Sequence, residues 1–156
     1  MAHQKHSTNA LFLQKEPKGE TDLVFTLYSQ DLGKIKVLGR GIRKMSSKLR
    51  SSAQVFYLSE IKFIEGKAGK ILTDALVINK QEQIFQSPAK LLKATDIAEK
   101  IDQVFIYAQQ DSEAWSLLLN FFDLLCQAKD DSKEIDNIAC DFLENLAKIV
   151  GCGLTP

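Results

Sequence analysis

The spacing of hydrophobic residues changes near residue 80, and this change limits the folds open to the chain. Before residue 80, apolar and polar side chains alternate, as where Ile35 and Val37 flank Lys36. After residue 87, apolar side chains recur every three or four positions. A period of two is typical of strands with one buried face, and a period near 3.6 is typical of amphipathic helices. The sequence therefore predicts an α+β protein with two domains, residues 1–80 and 81–156.

The first domain is predicted to contain five short antiparallel strands. Segments rich in Pro, Gly, Asp and Ser separate the alternating stretches, as is typical of turns. In the fourth strand the alternation slips between Leu58 and Ile61, which predicts a β-bulge. Five bent strands in this length suit a closed OB-fold β-barrel. The predicted strands cover residues 9–15, 21–29, 34–40, 54–64 and 70–79.

The second domain is predicted to be a C-terminal three-helix bundle, because three apolar stripes are joined by short connections. The stripe of the first helix is predicted to continue through Phe105 and Ala108. Helix ends are indicated by residues that favour N-caps, by proline at the first helical position and by a C-terminal glycine. These residues are Ser87 with Pro88, Asp111, Asp131 and Gly151.

Charge divides along the chain in the same way as hydrophobic spacing. The whole chain has 20 Lys+Arg and 20 Asp+Glu, a formal net charge of zero. Residues 1–80 carry 14 basic and 7 acidic side chains, whereas residues 81–156 carry 6 basic and 13 acidic ones. The zero total excludes a uniformly basic nucleic-acid-binding protein, but the imbalance indicates a basic functional surface on the first domain.

Residues 33–52 hold half of the basic side chains of the first domain and no acidic one. Two of the lysines share one face of the third predicted strand, and the remaining cations fall in a loop that its glycines and serines predict to be mobile. Such a segment can bind phosphates without reading bases, although a solvated loop without a partner is the alternative. The predicted DNA-binding residues are Lys34, Lys36, Arg40, Arg43, Lys44, Lys48 and Arg50.

Aromatic rings beside this basic segment are candidates for stacking on bases. Tyr28 has the opposite parity to Phe25 and is predicted to lie on the outer face of its strand, so it is the first candidate. Phe56 and Tyr57 are further candidates. The alternative for each ring is a place in the hydrophobic core.

Residue types that would support catalysis or metal binding are sparse. His3 and His6 lie in a polar N-terminus, and no glycine-rich segment has the spacing of a phosphate-binding loop. Glu20 and Asp22 adjoin a turn and begin a strand. The sequence therefore predicts no enzyme, no catalytic residue, no metal and no cofactor.

Cysteine spacing and hydropathy bear on the compartment. Cys126, Cys140 and Cys152 include no CxxC pair, so they predict neither a disulfide framework nor a four-cysteine zinc site, and they are predicted to be packing residues. No apolar run reaches the roughly 18 residues of a membrane span, and no signal-peptide core is apparent. We expect a cytoplasmic location and no membrane partner.

Several short motifs occur in a fixed order: Gly19-Glu20-Thr21-Asp22, Leu27-Tyr28-Ser29, Gly33-Lys34, Gly41-Ile42-Arg43-Lys44 and Ser47-Lys48-Leu49. They resemble the N-terminal domain of the bacterial RecO family of DNA-repair proteins. The leucine-rich helix from Trp115 to Cys126 and the segment from Phe142 to Pro156 are similar to that family's helical part.

The resemblance implies a recombination mediator with an OB-fold and a helical domain. It implies binding of single- and double-stranded DNA, annealing of complementary strands, and help in loading recombinase during recombinational repair. The partners that it implies are RecR, the C-terminal tail of single-stranded-DNA-binding protein and, in many bacteria, RecF, with association to the nucleoid. The family's basic DNA-contacting face corresponds here to Lys34, Lys36, Arg40, Arg43, Lys44 and Lys48.

Many RecO proteins continue into a cysteine-rich zinc module, and this sequence ends about where that module would begin. The expectation is a short form without the module, with a fragment as the other reading. Two other functions remain open from the sequence. One is an OB-fold adaptor that binds proteins without direct DNA binding, and the other is an RNA-binding OB module.

Overall fold

The computed structural model describes residues 4–151 and contains two compact units. Among these residues, the first unit comprises 4–80 together with Ile106–Gln110, and the second comprises Gln81–Phe105 and 111–151. The sequence places residues 106–110 in the helical domain, whereas in the structure they pack with the strands.

Five strands in the first unit close into a barrel, which confirms the predicted OB-type fold. Their order around the barrel is β1-β2-β3-β5-β4. All neighbours are antiparallel except β3 and β5, which meet in parallel at Leu38 and Ile71. The strands are β1 (Gln4–Lys18), β2 (Asp22–Ser29), β3 (Gly33–Gly39), β4 (Leu58–Gly66) and β5 (Gly69–Asn79).

The long strand β1 closes the barrel because its two halves pair with different strands. Its first half pairs with β4 and its second half pairs with β2. A shift of register between Phe12 and Gln14 lets the strand bend. A second shift, between Leu58 and Ser59 in the pairing of β4 with β5, confirms the predicted bulge. The fourth strand begins later than predicted, because residues 54–57 form turns.

The barrel interior is filled by the apolar side chains that alternation predicts. Phe12 and Phe25 pack edge to face, with ring centroids 5.1 Å apart. Ile42 and Ala53 come from the β3–β4 connection and pack into the same core. The remaining members of the core are Ala10, Leu27, Ile35, Val37, Ile61, Phe63, Leu72 and Ala75.

The second unit contains the three predicted long helices and one short helix that was not predicted. The helix ends follow the local signals: the side chains of Ser87, Asp111 and Asp131 each accept a backbone N–H of the first turn. Gly151 ends the last helix in the left-handed region, at φ 70°. The helices are α1 (Glu82–Phe85), α2 (Pro88–Val104), α3 (Ser112–Gln127) and α4 (Ser132–Val150).

The prediction that the first long helix continues through Phe105 and Ala108 is wrong. Helix α2 ends at Val104, Phe105 is extended, and Ala108 has a φ of 61°. The three-and-four spacing of Phe105 and Ala108 is therefore a coincidence. These residues have left the helix, and the segment that contains Ala108 pairs with β3. Within residues 4–151, no helix combines the length and the apolar character needed to cross a membrane.

Candidate nucleic-acid interface

The connection between β3 and β4, residues 40–57, is here called the basic loop, and it is anchored to the barrel. The carboxylate of Asp22 accepts the Gly41 amide hydrogen at 2.6 Å. The Arg43 amide donates to the carbonyl of Thr21 at 2.9 Å. Ile42, near the start of the loop, and other apolar side chains farther along it pack into the core. These contacts hold the backbone of the basic loop in place, although its glycines and serines alone predict a mobile segment.

The cations of the basic loop point outward from this anchored backbone. Turns within the loop are closed by backbone hydrogen bonds, including those from Lys44 to Gly41 and from Ser47 to Lys44. Within residues 4–151, no ion pair joins these cations to an acidic side chain. Their charge is therefore available to phosphates. The exposed cations are Arg40, Arg43, Lys44, Lys48 and Arg50.

A lysine elsewhere on the barrel is paired, in contrast with the loop. Lys70 on β5 lies 3.0 Å from the carboxylate of Glu65 on β4. The hydrogen bond and charge of Lys70 lower the pKa of Glu65 below its ordinary value of 4.5. Because a paired lysine offers less net charge to a polyanion, the cations of the basic loop should attract a polyanion more strongly than Lys70 does.

Two arginines of the basic loop border an open cleft of about 460 Å³. Arg43 and Arg50 line it together with Lys15 of β1, which the sequence analysis did not single out. Leu23 and Ile42 contribute an apolar wall. Cations beside an apolar wall suit a nucleotide, because the cations can bind its phosphate and the apolar wall can contact its base. The pairing of β1 with β2 brings Lys15 here, so no local signal in the sequence could have identified it.

The structure confirms that Lys34 and Lys36 share one face of β3, but the two lysines differ in burial. Their ammonium groups lie 4.2 Å and 5.7 Å from the ring centroid of Tyr107. Lys36 is exposed, whereas Lys34 is only 4% exposed. Lys34 is thus nearly covered beside an aromatic ring, which makes a direct contact with DNA less accessible for it than for Lys36. Contact of either lysine with DNA stays a prediction.

Tyr107 belongs to the segment Ile106–Gln110, which lies along β3. Tyr107 forms an isolated parallel bridge with Lys34, whose carbonyl accepts the Ala108 amide hydrogen at 2.8 Å. A Cβ added at Gly33 would overlap the carbonyl oxygen of Gln109, so the close approach requires glycine. Sequence reasoning missed Tyr107, although its aromatic and β-branched neighbours are more typical of strands than of helices.

The aromatic residues that the sequence proposed for base stacking are less accessible. Tyr28 is 1% exposed and Phe56 is 2% exposed, so both rings are buried, which argues against the prediction that Tyr28 stacks on a base. Tyr57 packs partly against the barrel core. Alternation correctly places Tyr28 opposite in parity to Phe25, but alternation does not reveal whether an outward face is covered.

The cysteines also differ from one another. Burial raises the pKa of the Cys126 thiol above its ordinary value of 9.0, whereas Cys140 is exposed, which corrects its predicted packing role. Cys152 and His3 lie outside the described residues. Within residues 4–151, His, Cys, Asp and Glu side chains form no group of three or more that could hold a metal ion.

Comparison with known proteins matches residues 1–80 to the family described as "Recombination protein O N terminal". The DNA repair protein RecO of Desulfitobacterium hafniense is 27% identical over 112 residues, which are 72% of this chain and 41% of that protein. That of Gloeobacter violaceus is 24% identical over 119 residues, 76% of this chain and 46% of the relative. That of Acaryochloris marina is 22% identical over 154 residues, 97% and 50% respectively. The chain thus spans half or less of the length of these curated relatives.

Proposed function

The chain belongs to the RecO family, and from that premise we propose that it is a recombination mediator that binds single- and double-stranded DNA and anneals complementary strands. The observation that carries this proposal is the set of exposed cations on the anchored basic loop, with the exposed Lys36 on the adjoining strand. The site of action is the cytoplasmic nucleoid.

The proposed mechanism is charge neutralisation without covalent chemistry. Two DNA strands repel each other through their phosphates, and cations that neutralise those phosphates lower the repulsion. The bases then supply the pairing energy and the sequence recognition. A loop that contacts phosphates alone suits this task, because it accepts strands of any sequence.

The proposed partners are those of the family: RecR, RecF, the C-terminal tail of single-stranded-DNA-binding protein, and a recombinase that is loaded onto coated strands. A groove of the second unit is a candidate site for the apolar end of such a tail. It is lined by Leu117 and Ile149, by the cation of Lys148 and by the carboxylate of Glu113. Apolar walls with a lysine suit a tail that ends in apolar residues and a carboxylate.

Fluorescence anisotropy with a labelled single-stranded oligonucleotide over a series of salt concentrations tests the proposal. We expect log K to fall linearly with log salt, by about 0.7 for each neutralised phosphate. Five contacts through the basic loop would therefore give a slope near −3.5. The same protein should accelerate the annealing of complementary strands. Binding that is absent at micromolar protein, or that ignores salt, would contradict the proposal.

A protein-binding adaptor is the second candidate function. Leu76 and Ile78 are exposed on β5, two positions apart, so they lie on one face of that strand. Together they form a small apolar surface that a protein partner could contact. The salt series separates the two functions, because an adaptor would bind no DNA while remaining folded.

A further inference from the structure

Tyr107 lies beside the basic face of the barrel and keeps a solvent-facing surface. The residue is 43% exposed, and its neighbour Ile106 is exposed as well. We propose that Tyr107 is a stacking platform for an unpaired base of single-stranded DNA. This inference rests on the proposed DNA binding and adds to it a residue that contacts bases rather than phosphates.

The ring is held in a defined position, as a stacking platform requires. A backbone bridge secures Tyr107 against Lys34, and it includes the hydrogen bond from the Ala108 amide to the carbonyl of Lys34. Ala108 has a left-handed φ of 61°, a conformation that a non-glycine residue adopts only where its surroundings impose it. The segment is therefore docked along β3, and little conformational entropy is lost when a base binds.

The ammonium groups of two lysines of β3 lie over the Tyr107 ring. The Lys34 ammonium lies 4.2 Å from the ring centroid, a distance at which a cation is attracted to an aromatic face. Lys36 lies 5.7 Å from the same centroid and is exposed. A base stacked on Tyr107 would bring its own phosphate close to Lys36. Tyr107 thus offers an aromatic ring for the base of a nucleotide, and Lys36 offers a positive charge for its phosphate.

The position of Tyr107 also fits a path for a strand of DNA. Lys34, Lys36 and Leu38 alternate on the outer face of β3, and the basic loop begins directly after β3 at Arg40. At about 3.3 Å per residue, the distance along β3 from Lys34 to Arg40 is about 20 Å. A single strand that stacks on Tyr107 can therefore reach the cations of the basic loop within a few nucleotides, inside the 4–16 nucleotides that one OB-fold covers.

Tyr107→Ala tests the inference by anisotropy with single-stranded DNA. We expect affinity to fall by about 5- to 160-fold, the range of one lost base–aromatic stack. The slope of log K against log salt should stay unchanged, because the lost group is neutral. Tyr107→Phe should keep the wild-type affinity. Duplex DNA should bind both proteins equally, because its bases are already stacked and paired.

Phe85→Ala is the matched control, since Phe85 is an aromatic residue of similar exposure, 47%, in the second unit. We expect it to bind DNA like the wild type. Circular dichroism checks that the variants are folded, and Tyr107→Leu removes the aromatic face while keeping apolar bulk over Lys34. An oligonucleotide of abasic sites should abolish the difference between the wild type and Tyr107→Ala.

The outcomes separate this inference from the function on which it rests. If the wild type binds DNA with salt dependence, and Tyr107→Ala and Tyr107→Leu both bind as tightly as the wild type, the stacking role is overturned and DNA binding stands. If Tyr107→Ala weakens duplex and abasic DNA to the same extent, Tyr107 acts through structure and the role is also overturned. If the wild type binds no DNA, both proposals fail.

Discussion

The carboxylate of Asp22 accepts the backbone hydrogen of Gly41 at 2.6 Å, and this bond ties the first residue of β2 to the start of the basic loop. Gly41 has a φ of 64°, which turns its amide toward the barrel. An acidic residue in a cationic region here has a structural explanation, because it orders the backbone from which Arg43 and Lys44 extend. Glu20, two residues earlier, is exposed.

Asp22→Ala should lower the free energy of unfolding by about 1–3 kcal/mol, because it leaves a loop amide without its acceptor. It should also weaken DNA binding, since the loop cations lose their common placement. Urea denaturation and anisotropy measure the two effects. Glu20→Gln is the control: it removes the same charge from an exposed site, and we expect little change in stability and a slight gain in DNA affinity. Equal behaviour of the two variants would contradict an anchoring role for Asp22.

Replacing Arg43, Lys44 and Lys48 together by alanine should weaken DNA binding and flatten the salt dependence. Loss of three phosphate contacts lowers the slope by about 2, at about 0.7 per contact. The matched control replaces Lys129, Lys133 and Lys148, three exposed lysines of the second unit, and so makes the same change in net charge. Anisotropy at several salt concentrations compares the two. An unchanged slope in the loop variant would show that the basic loop is not the DNA site.

Gly33→Ala should destabilise the barrel more than Gly19→Ala. Both glycines have a φ near +65°, so each substitution carries a similar backbone penalty of about 1–2 kcal/mol. An added Cβ at Gly33 also overlaps Gln109, whereas at Gly19 it meets nothing within 4 Å. The difference in unfolding free energy therefore measures the docking of residues 106–110. Equal losses would indicate that this segment contributes nothing to stability.

The buried thiol of Cys126 should make stability depend on alkaline pH. Burial raises its pKa in the folded state, whereas the unfolded chain has the ordinary value of about 9.0. As pH rises past 9, the unfolded state releases its proton first, so folding stability falls. Urea denaturation at pH 8 and pH 10 gives the free energy of unfolding of the wild type and of Cys126→Ala. Between these pH values the wild type should lose more stability than Cys126→Ala. Cys140→Ala, at an exposed position, is the control.

Local patterns in the sequence carry most of the fold. Alternation of apolar side chains identifies the strands because a strand exposes alternate residues to one side, whatever its partners are. Ser87, Asp111, Asp131 and Gly151 identify helix ends because they act on backbone groups within three or four residues. The parallel pairing of β3 with β5, by contrast, depends on closure of the barrel and could not be predicted from either strand alone.

The sequence by itself determined the five strands, the three long helices and the concentration of positive charge in residues 33–52, since each depends on neighbours along the chain. Only the tertiary structure decided which of those cations face solvent, that Tyr28 is buried, and that Tyr107 lies over Lys34. These outcomes depend on contacts between residues far apart in sequence, such as Asp22 with Gly41 and Gly33 with Gln109. A local pattern gives the direction of a side chain, and the packing of distant segments decides what that side chain meets.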